Sequence, residues 1–213
     1  MGRALWGTSG GFRGKNGANI GRWVGGQNIV GPLPHPSLKP ATTPQLNVRF
    51  KFGLTTGFLG MVSPLIRIGF NDARENKESA FSAAVSYNIR NAITGTAPAY
   101  VIDYPKVLFS KGPLENPISV TMATTEDAQL DLSWSTYGVV KGQPTDLLTF
   151  VVYNPAKQLF VVVKDAAARS VLSYELALPV EFSGDSVHVY VLMISADGKV
   201  VSKTKYIGET EVQ

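Results

Sequence analysis

The chain has 213 residues, of which 44% are hydrophobic and 17% charged, a balance that suits a folded globular protein and excludes global disorder. It contains no cysteine, which excludes disulfide staples, thiolate nucleophiles and cysteine-based zinc sites. The formal net charge of +4 conceals a division: residues 1–71 carry eight basic residues and no acid, whereas residues 72–213 are net acidic.

Such a division points to an acidic partner for the first third of the chain: nucleic acid, an acidic face of another subunit, or the chain's own C-terminal part. No continuous apolar stretch follows Arg3, so a secretory signal peptide is not expected, and the location expected is cytoplasmic or within an assembled particle. Apolar runs such as Phe150 to Tyr153 and Val189 to Ile194 are far shorter than the ~20 residues a membrane-spanning helix needs, so no membrane span is expected.

Residues 1–31 hold ten glycines with Trp6, Phe12, Ile20, Trp23, Val24, Ile29 and Val30 set among them. A plain flexible linker would use serine and few large apolar groups, so this segment reads as an arm that orders against another surface; a mobile basic tail is the other reading. Asn16-Gly17 is a turn signal that could fold the stretch into a hairpin. Residues 32–40 carry four prolines and read as a stiff, extended spacer.

Thr43-Pro44 supplies an N-cap and a proline at the first helical position. Leu46, Phe50, Leu54 and Phe58 then recur every four residues, giving a helix with one apolar face that Gly53, Gly57 and Gly60 weaken. Pro64 divides it from a short second apolar turn. The spacing of Phe81, Ala84, Val85, Asn88, Ile89 and Ala92 predicts a further helix over 77–92, ended by Gly95. From Ala99 onward the period changes to two, with short strands at 100–104 and 107–109 and then at 118–123, 129–134, 147–153, 159–163, 170–178, 186–194 and 200–207. Strands at this spacing suggest a sandwich with Trp134, Phe150, Val152, Val189 and Val191 in its core.

Catalytic signatures fail on context. Gly7-Thr8-Ser9-Gly10-Gly11 spells G-x-S-x-G, but no strand precedes it and no α/β pattern follows. His35 lies between prolines, and His188 alternates with Val187 and Val189, which places it on a solvent or interface side; neither is set among carboxylates or a serine. Asp72, Glu75 and Glu78 read as helix-end electrostatics, and Glu126-Asp127 as an ordinary turn. No phosphate-binding loop, dinucleotide fingerprint or calcium loop is present, so no enzyme activity and no cofactor or metal are expected.

What remains is the basic arm, where Arg3, Arg13, Lys15 and Arg22 interleave with Trp6, Phe12 and Trp23. Cations meet phosphates and rings meet bases or apolar pockets, so these seven residues are the candidate contacts to nucleic acid or to a protein partner.

Trp134 at the end of LDLSW, and the strands SVHVYVLMIS and KVVSKTKYIG around Asp197-Gly198, resemble the B strand and F–G hairpin of fibronectin type III-like domains over residues 117–213. The whole chain also resembles an uncharacterised family of proteins of about 210 residues from Bacteroidetes. The stretches that carry this likeness are GGFRGKNGANIG at 10–21, TPQLNVRFKF at 43–52, AFSAAVSYNIRNAITG at 80–95, IDYPKVLFSKG at 102–112 and VHVYVLMISADGKVVSKTKYIGE at 187–209. The resemblance supplies no activity; it implies that arm and sandwich belong together.

The expected architecture is α+β and mainly β: a basic Gly/Pro-rich arm and spacer over 1–40, a helical region over 41–98, and an antiparallel seven-stranded β-sandwich over 99–213, fibronectin type III-like from about 117. The expected function is that of a non-enzymatic structural protein that self-assembles into a homo-oligomeric shell, filament or virion-like particle through its arm, with nucleic acid as a further partner of residues 1–71. The alternative is a monomeric β-sandwich module that binds a glycan or protein through its loops.

Overall fold

The computed structural model describes residues 2–3, 11–35, 39–71, 78–125, 128–138 and 141–213. Within them the chain is mainly β, with three α-helices and four antiparallel sheets. It divides into two compact units, Met1–Thr43 and Pro44–Gln213. Trp6, the serine of the G-x-S-x-G stretch, Asp72, Glu75 and Glu126-Asp127 lie outside the described residues.

The first unit is a small sheet. Strands β1 (Gly2–Arg3), β2 (Gly14–Asn16), β3 (Asn19–Val24) and β4 (Gln27–Pro32) pair in the order β1-β4-β3-β2. Asn16 stands opposite Asn19, so the first turn is Gly17-Ala18, one residue beyond the pair read from the sequence. Val24 stands opposite Gln27, and the turn between them is Gly25-Gly26 at φ +57° and +78°. Two consecutive positive φ angles fit the twist of a two-residue hairpin, and glycine adopts them without a Cβ penalty. The basic segment therefore takes strand partners from itself.

The second unit begins with α1 (Thr43–Gly60) and α2 (Ser63–Gly69), which meet at 92° where Pro64 opens the second helix. A third helix, α3 (Ala80–Asn91), starts at the N-cap Ser79, whose hydroxyl accepts the Ser82 N–H at 3.1 Å. A hairpin of β5 (Ile93–Thr96) and β6 (Ala99–Ile102) follows. Then come β7 (Thr121–Thr125), β8 (Gln129–Ser133), β9 (Leu147–Asn154), β10 (Leu159–Ala168), β11 (Ser173–Ala177), β12 (Ser186–Ile194) and β13 (Lys205–Glu211). These make a four-stranded sheet, β10-β9-β12-β13, and a three-stranded sheet, β11-β8-β7.

Alternation along β9 and β12 assigns their side chains to two cores. Val151, Tyr153, Tyr190, Leu192 and Ile194 pack with Leu59, Ile66, Phe70, Ala84 and Phe109 from the helical segment. Phe150, Val152, Val189, Val191 and Met193 pack with Leu130, Leu132 and Leu176 of the three-stranded sheet and with Trp134. The four-stranded sheet is thus apolar on both sides, which is why LLTFVVYN and SVHVYVLMI read as near-continuous apolar runs. Helices and sheets share this one unit.

Three sequence readings need correction. Residues 107–109 form no strand: after a short 3-10 turn at Tyr104–Lys106 they run as buried irregular chain. Side chains and a helix end satisfy that backbone. Asn88 accepts the Leu108 N–H at 3.0 Å and donates to the Leu108 carbonyl at 2.9 Å, Thr204 Oγ1 accepts the N–H groups of Phe109 and Ser110, and Lys111 N–H reaches the Gly69 carbonyl. The last continuous strand starts at Lys205 and not at 200: Val201 makes only an isolated antiparallel bridge to Ile194 of β12, and the Thr204 N–H turns away to the Ser110 carbonyl. His188 does not face solvent: it is 6% exposed, with its ring stacked 4.2 Å from that of Tyr104.

Candidate partner interface

In an antiparallel sheet, residues directly opposite share a face and neighbours along a strand alternate. The register of the N-terminal sheet therefore sorts its side chains. Lys15 stands opposite Ile20, and Arg22 opposite Ile29, so Lys15, Ile20, Arg22, Val24 and Ile29 form one face. Arg3 also pairs with Ile29 across the sheet. The other face carries Gly14, Gly21, Trp23, Asn28 and Val30.

Across that second face runs the segment leading into β2. A Cβ on Gly21 would collide with the Phe12 carbonyl oxygen and its ring, so glycine is what admits the crossing. Asn28 secures it by donating from Nδ2 to the Phe12 carbonyl at 2.8 Å. Trp23 lies beside Gly11 on the same side and remains 57% exposed. Arg13, Lys15 and Arg22 are exposed.

The interleaving seen in the sequence thus resolves into two surfaces. Lys15 and Arg22 share one face; Trp23 and the half-buried Phe12 belong to the opposite one. Arg13 precedes β2, and Arg3 is placed by its backbone alone. Among the described residues of this unit only Gly21 and Asn28 are buried.

In the second unit, α1 is apolar well beyond the face predicted for it. Leu46 and Phe50, expected to be buried, are exposed, and so are Val48 (67%) and Phe52 (53%) on other sides of the helix. Only Thr55, Phe58 and Leu59 are buried along it. The sequence carried the signal, since Val48 and Phe52 lie off the 46/50/54/58 stripe and place further apolar side chains among Gln45, Asn47, Arg49 and Lys51. Beside its glycines opens a groove of about 660 Å³, walled by Gly57, Phe58, Tyr100, Ile102, Tyr104 and Tyr153.

Tyrosines gather below this groove. Burial pushes the Tyr153 phenol up to about 12, reinforced by the neighbouring Tyr104, and burial raises Tyr190 further still. Both stay protonated, and the Tyr190 hydroxyl donates to the Tyr104 carbonyl at 3.0 Å. His188 Nδ1 lies 3.0 Å from the Tyr206 hydroxyl. Burial holds its imidazole below the ordinary range, against the opposing pull of Glu209, which stands opposite it on β13. The imidazole packs against the Tyr104 ring and shares a hydrogen bond with Tyr206. Among the described residues no cluster of three or more histidines or carboxylates could hold a metal ion, and no single helix is long and apolar enough to cross a membrane.

The chain matches a family of unknown function, DUF6266, over residues 11–208, and belongs to that family. The match runs from the N-terminal sheet into β13 and so covers both units. No curated protein matches the chain.

Proposed function

We propose that this chain is a non-enzymatic structural protein that self-assembles into a shell, filament or virion-like particle, with its N-terminal sheet as the assembling element. The observation that carries this reading is how little of that sheet is buried among the described residues. A small antiparallel sheet needs one face packed to be stable in water, yet here Trp23 and Val24 are more than half exposed on opposite faces. The exposed apolar turns of α1 add a second surface of the kind that marks protein contact sites. Sedimentation velocity of the full chain over a wide concentration range tests the proposal. Concentration-dependent oligomers that disappear in a Trp23→Ser/Val24→Thr variant support it; a single monomeric species at every concentration overturns it.

The second unit reads most simply as a fibronectin type III-like seven-stranded sandwich with a helical layer added. Supporting this are its division into four and three strands, the orders β10-β9-β12-β13 and β11-β8-β7, and a buried Trp134 just past β8. Nucleic acid is the further partner proposed for the cationic face. Separation of Trp23 from Lys15 and Arg22 favours phosphate contact over base stacking there.

A second reading, a monomeric module that binds a glycan or protein through its loops, is favoured by a cavity of about 350 Å³ lined by Thr136, Gly142, Pro144, Arg169, Ser170 and Leu172. Arg169 beside it keeps Nε and Nη1 without acceptors. A chain that stays monomeric and retains a glycan or a protein on a column would favour this reading.

A further inference from the structure

The outer face of the three-stranded sheet has an unusual make-up. Asp131 on β8 stands directly opposite Glu175 on β11 and Ala123 on β7, and Ser133 stands opposite Ser173 and Thr121. Two carboxylates are thereby direct cross-strand neighbours on one face, an arrangement that destabilises a sheet unless a cation comes between them. A shallow hollow of about 440 Å³ opens over this spot, and Thr121, Ala123, Asp131, Ser133, Ser173 and Glu175 line it. No lysine or arginine lines the hollow. Asp131 Oδ1 is buried there without a hydrogen-bond partner.

The same chain carries the complement. The N-terminal sheet presents Lys15 and Arg22 on one face, and the first 71 residues contain no acid. We propose that the outer face of β11-β8-β7 is the receiving surface for the N-terminal sheet of a second copy, with Lys15 and Arg22 set against Asp131 and Glu175. This rests on the self-assembly reading and names its surface.

Charge and shape both favour this occupant. Long cationic side chains over small ones are complementary in shape, because Thr, Ala and Ser leave the hollow that Lys or Arg fills. A donor sheet and a different acceptor face make a heterologous contact, which propagates into rings or filaments and does not close as a two-fold dimer.

The test uses the full chain in three variants, each followed by sedimentation. Asp131→Asn/Glu175→Gln keeps the shape of the face and removes its charge and like-charge repulsion, so its unfolding midpoint should hold or rise while self-association weakens about tenfold to a hundredfold at low salt. Lys15→Glu/Arg22→Glu should weaken association equally. That variant mixed with Asp131→Lys/Glu175→Lys should regain association that neither shows alone. If wild-type chains associate and the Asn/Gln variant associates as strongly, the docking surface is wrong while self-assembly stands. If wild-type chains never associate, both fall. Salt-sensitive binding of a DNA duplex that requires Lys15 and Arg22, with no trans-rescue between the charge-reversed chains, would assign the cationic face to nucleic acid and overturn the docking.

Discussion

Thr204 Oγ1 lies 2.9 Å from the backbone nitrogen of Phe109, 95 residues away in the chain, and 2.8 Å from that of Ser110. One hydroxyl on the approach to β13 thus replaces the sheet partner that residues 107–110 lack. Thr204→Val keeps the volume and strands two buried N–H groups, each worth about 1–3 kcal/mol when unsatisfied. A loss of about 2–4 kcal/mol is expected from urea unfolding, whereas Thr204→Ser should lose less than half of that.

Asn88 serves the same segment from α3. Its amide donates to the Ala84 and Leu108 carbonyls and its carbonyl accepts from Leu108. Asn88→Leu is close in size and better suited to the apolar stripe, yet it should cost at least about 2 kcal/mol because both polar groups of Leu108 are left buried and unpaired. Denaturant unfolding of the variant measures this, and a neutral or stabilising outcome would show that water reaches Leu108.

Trp134 combines packing and hydrogen bonding. It is 5% exposed, its ring is 6.0 Å from that of Phe150, and its Nε1 donates to the Arg169 carbonyl at 2.9 Å. Trp134→Ala should destabilise the second unit by about 3–5 kcal/mol. Trp134→Phe retains most of the packing and should cost less, and the difference between the two variants measures the packing share.

His188 makes stability depend on acid. Its folded-state affinity for protons is depressed below the ordinary value of 6.5 because the ring is buried against Tyr104 and Tyr206, facing Tyr153 across β9 and Glu209 across β13. The unfolded chain then binds the proton more readily. The resulting stability is complete above the ordinary imidazole value and is lost as pH falls through the depressed folded value. Unfolding midpoints measured across this range should fall toward acid in the wild type and fall less steeply in His188→Gln.

The architecture was legible where a pattern reflected one burial demand. Alternation located β8 and β11, which present one face to a core, and near-continuous apolar runs located β9 and β12, which are packed on both faces. It misled at 107–109, where Val107, Leu108 and Phe109 are all buried and look like strand, yet Asn88 and Thr204 take the hydrogen bonds that a neighbouring strand would have taken. No sequence rule forecasts a partner so far along the chain. Helix α1 was found by its Thr-Pro start and its period, but the period could not reveal that Leu46 and Phe50 would be left uncovered. The glycines of the N-terminal segment read as an arm, and the two-residue turn at Gly25-Gly26 that folds it into a sheet was overlooked. Lys15 and Arg22 were identified from composition; their separation from Trp23 follows from register, which sequence alone does not provide. Asp131 and Glu175 lie 44 residues apart and became neighbours through strand order alone.

Because β9 and β12 contribute side chains to both cores, neither the helices nor the three-stranded sheet can detach without wetting the floor they share. The second unit should consequently melt in one step, with few subglobal openings. The slowest amide hydrogen exchange should be found at Val151, Val152, Tyr190 and Val191, at rates set by global unfolding. A lesion on either side, Asn88 in the helical layer or Trp134 beside the opposite sheet, should lower the protection of these same four amides by the same free energy.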